Sequence, residues 1–279
     1  MPHSPAYLES IDYQAGGFAD LYDELPLWSA PFGLMLLDRV PLKPGLTVLD
    51  VGAGTGFLSL ELAERCGPMS RVVAVDPWAG GIERLRAKIA QRGLTNVTLL
   101  EQDAAALDLP DTSVDVIVSN LGINNFADAA GVLRQCARVA RPGATQILTT
   151  NLAGHMAEFY AIYRQVLLDL GHDDRLFALE EHVGHRGTVD TVTALIESGG
   201  FSVTEVERSA FRWRFADGTA LLRHFFIRLG FIQGWKGVAR PDAVIETFSA
   251  LEAALNAAAR ERGELALTIP MACISARKR

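Results

Sequence analysis

In the first half of the chain, short apolar runs alternate with segments whose apolar positions recur at helical spacing. The runs are rich in Val, Ile and Leu with little alternation, which indicates strands buried on both faces. Strands are predicted at Thr47–Val51, Arg71–Asp76, Val97–Leu100, Val114–Ser119 and Gln146–Thr150. Helices are predicted between them, at about 57–66, 80–92 and 127–140. This alternation predicts an α/β protein with a parallel sheet covered by helices.

After Thr150 the pattern is mixed. Further helices are predicted at Glu158–Leu170, Val189–Ser198, Thr219–Phe231 and Asp242–Arg262. Further strands are predicted at Phe201–Glu207, Phe211–Phe215 and Leu265–Ala276. A polar stretch that carries histidines, Gly171–Gly187, is left without a predicted element. The late helices interrupt the strand pattern and are typical of a lid inserted at the edge of a sheet.

The change of pattern divides the chain into three predicted parts. Residues 1–45 are predicted to form an N-terminal helical cap, and residues 46–150 the α/β core. Residues 151–279 would complete the sheet and carry lid helices within 151–187 and 216–262. We expect the three parts to form one continuous domain.

Composition narrows the class of protein. Lys and Arg number 26 against 33 Asp and Glu, and the resulting net charge of −7 disfavours a nucleic-acid partner. The longest uncharged stretch, Pro142–Ala157, contains several polar residues and is not a membrane span. The first ten residues lack the basic and apolar regions of a signal peptide. Together with three scattered cysteines (Cys66, Cys136 and Cys273), this predicts a cytoplasmic protein without a disulfide framework or metal site.

A glycine-rich turn directly follows the first predicted strand. The segment Val48-Leu-Asp-Val-Gly-Ala-Gly-Thr-Gly-Phe57 carries glycines at 52, 54 and 56. Such glycines let the backbone turn tightly and approach a ligand closely, and the helix that follows offers N–H groups to an anion. A dinucleotide fingerprint of the form G-x-G-x-x-G would need glycine at position 57, where the chain has Phe57.

The pattern Asp-x-Gly-x-Gly-x-Gly, which begins at Asp50, resembles that of class I S-adenosylmethionine (SAM)-dependent methyltransferases. The similarity covers about Leu46–Thr150 and is nearest to the ubiquinone/menaquinone-biosynthesis (type 11) group. Upstream of it, the segment Phe18-Ala-Asp-Leu-Tyr22 resembles the N-terminal helix of that group. It implies a Rossmann-like, doubly wound, mostly parallel seven-stranded sheet with helical lid insertions. It also implies that the turn holds the amino-acid end of SAM, with backbone amides around its methionine tail, and that Asp50 supports the turn.

The same resemblance implies a set of cofactor-binding residues at the ends of the predicted strands. A carboxylate at Asp76 can accept hydrogen bonds from both ribose hydroxyls. Trp78 would lie against the adenine or, with equal weight, simply pack in the protein; Tyr22 likewise would cover the cofactor or only pack. Gln102-Asp103-Ala104 resembles the element that reads the adenine edge. The full set is Tyr22, Asp50, Gly52, Ala53, Gly54, Gly56, Asp76, Pro77, Trp78, Asp103, Ala104, Asn120 and Leu121.

The methyl acceptor is less well defined by the sequence. A dense apolar segment within Phe225–Trp235 indicates core or dimer packing or, less often, the wall of a pocket for an aromatic or lipophilic acceptor. His155 follows the fifth strand and is a candidate general base, although a structural role is more common for such a histidine. His182 and His185 do not by their spacing indicate a metal site. The predicted reaction is therefore methyl transfer from SAM to the oxygen, nitrogen or carbon of a small molecule, catalysed mainly by positioning.

Two other functions remain open at the level of sequence. One is an NAD(P)-dependent oxidoreductase, because an acid at position 76 would suit any ribose; Phe57 and the Asp103 element disfavour it. The other is a SAM-binding protein without catalytic activity, which no residue excludes.

Overall fold

The computed structural model describes residues 5–12 and 17–279. Its strands are β1 (Thr47–Val51), β2 (Arg71–Val75), β3 (Val97–Leu100), β4 (Val114–Asn120), β5 (Ala140–Asn151), β6 (Phe201–Phe215) and β7 (Leu265–Lys278). They form a seven-stranded sheet in the order β3-β2-β1-β4-β5-β7-β6. The pairs among β1 to β5 are parallel, and β7 is antiparallel to β5. The predicted mostly parallel, seven-stranded α/β sheet is confirmed.

The α-helices in the first part of the described chain are α1 (Phe18–Asp23), α2 (Ala30–Leu37), α3 (Phe57–Cys66), α4 (Ala79–Arg92) and α5 (Ala129–Val139). Those that follow are α6 (Ala157–Asp169), α7 (Leu176–Gly184), α8 (Val189–Ser198), α9 (Gly218–Arg223), α10 (Phe225–Gly230), α11 (Ile232–Val238) and α12 (Val244–Arg262). Local sequence sets several ends: Asp128 caps α5 through the Gly131 amide, and Gly93 ends α4 in the left-handed conformation. Within residues 5–12 and 17–279, no helix is both long and apolar enough to cross a bilayer.

The contacts within the chain define two compact units. The one that we call the sheet unit combines residues 17–151, Thr188–Ser209 and Met271–Arg279. The one that we call the helical unit combines residues 5–12, Leu152–Gly187 and Ala210–Pro270. The insertions predicted at 151–187 and 216–262 fall almost entirely in the helical unit. The division into a cap, a core and a remainder within one continuous domain stays a prediction.

Each unit has its own buried side chains. In the sheet unit, Leu36 of α2 and Leu62 of α3 share one buried cluster with Val116 of β4. In the helical unit, Phe159 of α6 stacks on Trp235 of α11 with ring centroids 3.9 Å apart. Burial of such large apolar surfaces is the main favourable term that holds each unit together.

β5 begins six residues earlier than the sequence indicated. The segment Arg141-Pro142-Gly143, expected only to stop the preceding helix, lies within the strand. The pairing with β4 shifts register there, from Val114 opposite Ala140 to Val116 opposite Thr145. At such an irregularity the intervening residues do not need to donate a backbone hydrogen bond to the neighbouring strand. Proline, which has no backbone N–H, is therefore tolerated there.

The other differences lie in the later part of the chain. The polar stretch Gly171–Gly187 contains α7, which is anchored by the fully buried Leu179. The segment Thr219–Phe231, predicted as one helix, is divided among shorter helices because His224 takes an extended backbone conformation. The two strands predicted within 201–215 are one continuous strand of 15 residues. Hydrophobic periodicity alone did not indicate where these elements join.

Candidate functional site

The bend between β1 and α3 is built on three left-handed glycines. Gly52, Gly54 and Gly56 have φ angles of 78°, 54° and 92°, a region that side chains other than glycine rarely adopt. A Cβ at Gly56 would lie 2.2 Å from Cδ1 of Leu85, so this glycine also allows α4 to approach closely. A Cβ at Gly54 would meet no atom within 4 Å. The bend is therefore tightly packed at Gly56 and open beside Gly54.

Hydrogen bonds fix this bend against the end of β2. The amides of Gly52 and Ala53 both donate to the carbonyl oxygen of Val75, at 2.9 Å and 3.0 Å. The amide of Gly54 donates to Oδ2 of Asp76 at 2.8 Å. These three N–H groups are engaged within the protein, in contrast to the expectation that the amides of the bend surround a ligand's tail. The Gly56 amide is engaged as well, with the carbonyl oxygen of Ala53 at 2.8 Å, so what the bend offers to a ligand is chiefly the space beside Gly54.

Asp50 lies beneath the bend. It is buried and accepts a hydrogen bond from the Ser59 hydroxyl, 2.5 Å from Oδ2. Burial, together with the negative charge of Asp76, raises the pKa of Asp50 to about 7, although the hydrogen bond from the Ser59 hydroxyl opposes the shift. Asp50 thus joins the end of β1 to the first turn of α3. Its supporting role for the cofactor stays a prediction.

Asp76 connects the bend to the segment that follows β2. Besides the Gly54 amide at Oδ2, its Oδ1 accepts the Trp78 amide at 2.9 Å. A carboxylate has about four lone-pair positions, so both oxygens can still accept from a ribose diol. Pro77, which lies between Asp76 and Trp78 in the chain, is exposed. One side chain therefore shapes the bend and retains the capacity to bind a sugar.

Aromatic side chains of α1 pack against Trp78. The Tyr22 ring meets it edge-on with centroids 5.3 Å apart, and Phe18 lies 5.9 Å away. Asp23 fixes α1 to α4 through Arg84 at 3.0 Å and Lys88 at 2.6 Å. The structure therefore brings Tyr22, Trp78 and Asp76 together, and burial followed by the charge of Asp76 raises the pKa of Tyr22.

The end of β4 carries a strained residue. Leu121 has a φ of 63°, a conformation that costs a residue with a side chain about 1–3 kcal/mol. Its amide donates to the carbonyl and hydroxyl oxygens of Thr149, at 3.1 Å and 3.2 Å. Asn120 accepts from that hydroxyl at 2.6 Å and donates from Nδ2 to the Ser29 carbonyl at 3.1 Å. The Asn120 amide thus orders the segment before α2 and the end of β4.

Asp103 and Ala104 follow β3. Oδ1 of Asp103 accepts the Ala105 amide at 2.8 Å and so begins a short 3-10 helix, in which Ala104 is buried. The neighbouring Gln102 has a buried Nε2 without a hydrogen-bond partner among the described residues. A buried donor without a partner is costly, and a ligand that accepts a hydrogen bond would satisfy it.

These features together fit a nucleoside with a charged tail. The open space beside Gly54, the unused lone pairs of Asp76 and the Gln102 donor all lie in the loops after β1, β2 and β3. In a parallel sheet these loops meet at the carboxyl edge of the strands, where open α/β folds bind ligands. Because Asp76 accepts and Gln102 donates, the site can bind both a diol and a heterocycle.

His155 lies in the helical unit, where it is buried and stacks on Phe231 with centroids 5.5 Å apart. Burial lowers its pKa to about 3, and the positive charge of Arg186 contributes in the same direction. With this pKa the imidazole is neutral at pH 7 and is a weak general base. The catalytic role of His155 stays a prediction, and this environment does not favour it.

Sequence reasoning missed several residues that shape the site. Ser59 holds Asp50, Thr149 holds Asn120, and Asp23 holds α1. Ser59 carried a weak signal, since a small hydroxyl residue in the first turn of a helix can reach back to the preceding strand. Thr149 and Asp23 carried none, because their partners are distant in sequence.

The order of its strands and helices makes this a protein of the Rossmann-like α/β class. Residues 42–184, about half of the chain, match the family model described as a methyltransferase domain, and the chain belongs to this family. It is a SAM-dependent methyltransferase.

The chain is similar to a named methyltransferase in sequence and to two solved structures in fold. The chain is 28% identical over 187 residues to a demethylmenaquinone methyltransferase of Anoxybacillus flavithermus, covering 63% of the chain and 78% of that protein. The fold resembles the crystal structure of the YcgJ protein of Bacillus subtilis, with TM-score 0.59, 17% identity and coverage of 90% and 98%. It also resembles a SAM-dependent methyltransferase of Aquifex aeolicus, with TM-score 0.53, 23% identity and coverage of 67% and 89%.

Proposed function

We propose that the sheet unit binds SAM at the bend after β1 and that the enzyme methylates a small organic molecule. The observation that carries the proposal is the pair of hydrogen bonds by which Asp76 holds the Gly54 and Trp78 amides. These bonds fix a carboxylate beside the open space at Gly54, as a ligand that joins a ribose to an amino acid requires.

Each predicted cofactor residue then has a physical task. Asp76 accepts from the ribose hydroxyls, while the bend from Gly52 to Gly56 receives the methionine end. Asp103, Ala104 and Gln102 border the adenine, and Tyr22 with Trp78 forms an aromatic wall at the ribose. Asn120 and Leu121 shape the methyl-donor end of the site. When bound, SAM supplies an activated methyl group on a sulfonium.

Catalysis then depends on positioning and on the exclusion of water. The rigid bend and the hydrogen-bonded end of β4 hold their groups in place before the substrate arrives. Proton removal by His155 is not required, since a nucleophile that is already ionised needs no base.

For the acceptor we propose a small aromatic or lipophilic molecule. The relative from Anoxybacillus is named for demethylmenaquinone, and the helical unit contains many aromatic rings, among them Phe159, Tyr160 and Trp235. The accepting atom is left as oxygen, nitrogen or carbon. We further propose a homodimer, which size-exclusion chromatography tests. A cytoplasmic location agrees with the free thiols of Cys66, Cys136 and Cys273.

Calorimetry and a transfer assay test this function. Isothermal titration of the full chain should show micromolar binding of SAM or S-adenosylhomocysteine, and NADH should not compete. Incubation with methyl-labelled SAM and a panel of quinones, phenols, amines and acids should label at least one organic product.

The two experiments distinguish the other candidate functions. Tight NADH binding without SAM binding would favour an oxidoreductase. Binding of S-adenosylhomocysteine without transfer to any member of the panel would favour a SAM-binding protein without catalytic activity.

A further inference from the structure

Arg186 is an arginine of the helical unit without an acidic partner. It lies between α7 and α8 and is partly buried. Its Nε is buried without a hydrogen-bond partner, and no carboxylate of the described residues forms an ion pair with it. The other buried or half-buried cations of this unit have carbonyl or carboxylate partners, as Arg175 has at the Val238 carbonyl. A partly buried cation without a counter-ion is less favourable than a paired one, and a ligand with a negative charge would supply the missing partner.

Polar and aromatic rings surround this charge. The Tyr160 hydroxyl is hydrogen-bonded to Nε2 of His182 and accepts Nε1–H of Trp235, both at 3.2 Å. Trp235 in turn lies 5.7 Å from the ring of Phe231, on which His155 stacks. These side chains form a continuous set of rings within one unit.

The charge of Arg186 acts on these rings directly. Burial lowers the pKa of His182 to about 4, and His185 and Arg186 contribute to the shift. The same arginine contributes to the low pKa of His155 and opposes the burial that raises the pKa of Tyr160. Arg186 directly follows His185, whose ring centroid lies 5.4 Å from that of His182, so the chain itself places the arginine beside this cluster. At neutral pH the imidazoles of His155 and His182 are therefore uncharged.

The backbone beside this cluster is closely fitted. A Cβ at Gly234 of α11 would lie 2.7 Å from Cε1 of His182. Glycine at this position therefore allows α11 to approach the imidazole and keeps it beside Tyr160. The described residues contain no group of three His, Cys, Asp or Glu side chains that could hold a metal ion.

We infer that the helical unit binds a small aromatic carboxylate, whose acid group pairs with Arg186 and whose ring lies among the aromatic side chains around Tyr160. A guanidinium binds a carboxylate through two parallel N–H donors, which gives both charge and orientation. The inference concerns the helical unit alone and does not depend on the proposed function of the sheet unit.

Binding of benzoate tests the inference. Benzamide, which has nearly the same shape but no charge, shows how much of the binding depends on the carboxylate. Isothermal titration or ligand-observed NMR of the full chain should show binding of benzoate at least tenfold tighter than binding of benzamide. Arg186→Met removes the charge but retains the length, and should weaken benzoate at least tenfold. Arg164→Met is the matched control, because Arg164 is half-exposed and already paired with Glu180; it should leave benzoate binding unchanged.

Gly234→Ala gives a second, geometric test, since the added methyl group has to displace His182. It should also weaken benzoate. Thermal unfolding checks that the variant is folded, because removal of an unpaired, partly buried charge should not lower the Tm. Benzoate should raise the Tm of the native chain but not that of Arg186→Met.

Equal binding of benzoate and benzamide, or equal binding of benzoate by the native chain and Arg186→Met, would overturn the inference. Binding of S-adenosylhomocysteine is measured on the same samples. If benzoate binds as expected but S-adenosylhomocysteine does not, the proposed function fails while the anion site stands. If only S-adenosylhomocysteine binds, the anion site fails alone.

Discussion

The carboxylate of Asp76, at the end of β2, accepts the amide hydrogen of Gly54 in the bend after β1, with 2.8 Å between the heavy atoms. The two residues lie in the loops that follow neighbouring parallel strands, and this bond joins the two loops. Asp76 therefore has two roles that a sequence motif does not separate: it shapes the bend and it presents a carboxylate to a ribose.

For Asp76→Ala we expect SAM affinity to fall more than tenfold, about 1.4 kcal/mol or more. The variant loses the acceptor for the ribose and releases the Gly54 and Trp78 amides. Calorimetric titration measures the change, with the exposed Asp108→Ala as control. Unchanged affinity would remove Asp76 from the binding site.

The two glycines of the bend should respond differently to alanine. Gly54→Ala places a methyl group in open space, so we expect a modest loss of about 1–2 kcal/mol in folding free energy from its φ, together with weaker SAM binding. Gly56→Ala adds a clash with Leu85 to the same strain, and we expect a larger loss of about 2–4 kcal/mol. Urea unfolding measures both. Equal losses of stability would contradict the packing described here.

Asp50 should make stability depend on pH. Its pKa in the folded protein is about 7, against an ordinary value of 3.8. A raised pKa contributes stability that is fully present below pH 4 and is lost as the pH rises towards 7, by at most about 4 kcal/mol.

Asp50→Asn removes this dependence and can still accept from the Ser59 hydroxyl. As the pH rises from 4 to 8, the native chain should lose stability at this residue and the variant should not. We therefore expect the unfolding free energy of the variant minus that of the native chain to increase over this range. Unfolding curves at several pH values measure it; a difference that does not vary with pH would show that Asp50 is ionised throughout this range.

Tyr22 should act through its ring. Its edge-on contact with Trp78 is retained in Tyr22→Phe and lost in Tyr22→Ala. An aromatic pair of this kind contributes about 0.5–1.5 kcal/mol. We therefore expect SAM affinity to change little for the phenylalanine variant and to fall about three- to tenfold for the alanine variant. A loss of the same size in both would assign the effect to the hydroxyl instead.

Thr149→Val tests the end of β4. The valine has nearly the same shape, but it leaves the Asn120 side-chain oxygen without the hydroxyl that donates to it. We expect a loss of about 1–3 kcal/mol in unfolding free energy, together with weaker SAM binding. Thr98→Val on β3, where the threonine is less buried, is the comparison variant. Equal stability of Thr149→Val and the native chain would show that this bond contributes little.

Local sequence determined the framework of the protein. The bounds of β1, β3, α3 and α8 follow directly from apolar runs, from the glycines and from helix periodicity. The left-handed bend was indicated by Gly52, Gly54 and Gly56, because few other residues tolerate such φ angles. Backbone preferences and the period of the apolar positions act over a few residues, so a single sequence contains them.

Tertiary structure decided which groups are already occupied. The Asn120 amide binds the Ser29 carbonyl across 91 positions of sequence, and Asp76 engages an amide 22 positions away. The bulge that admits Pro142 depends on the register between two strands, and the isolation of Arg186 depends on which acids do not reach it. These properties arise from packing between distant segments, and a pattern read along the chain does not contain the distances on which they depend.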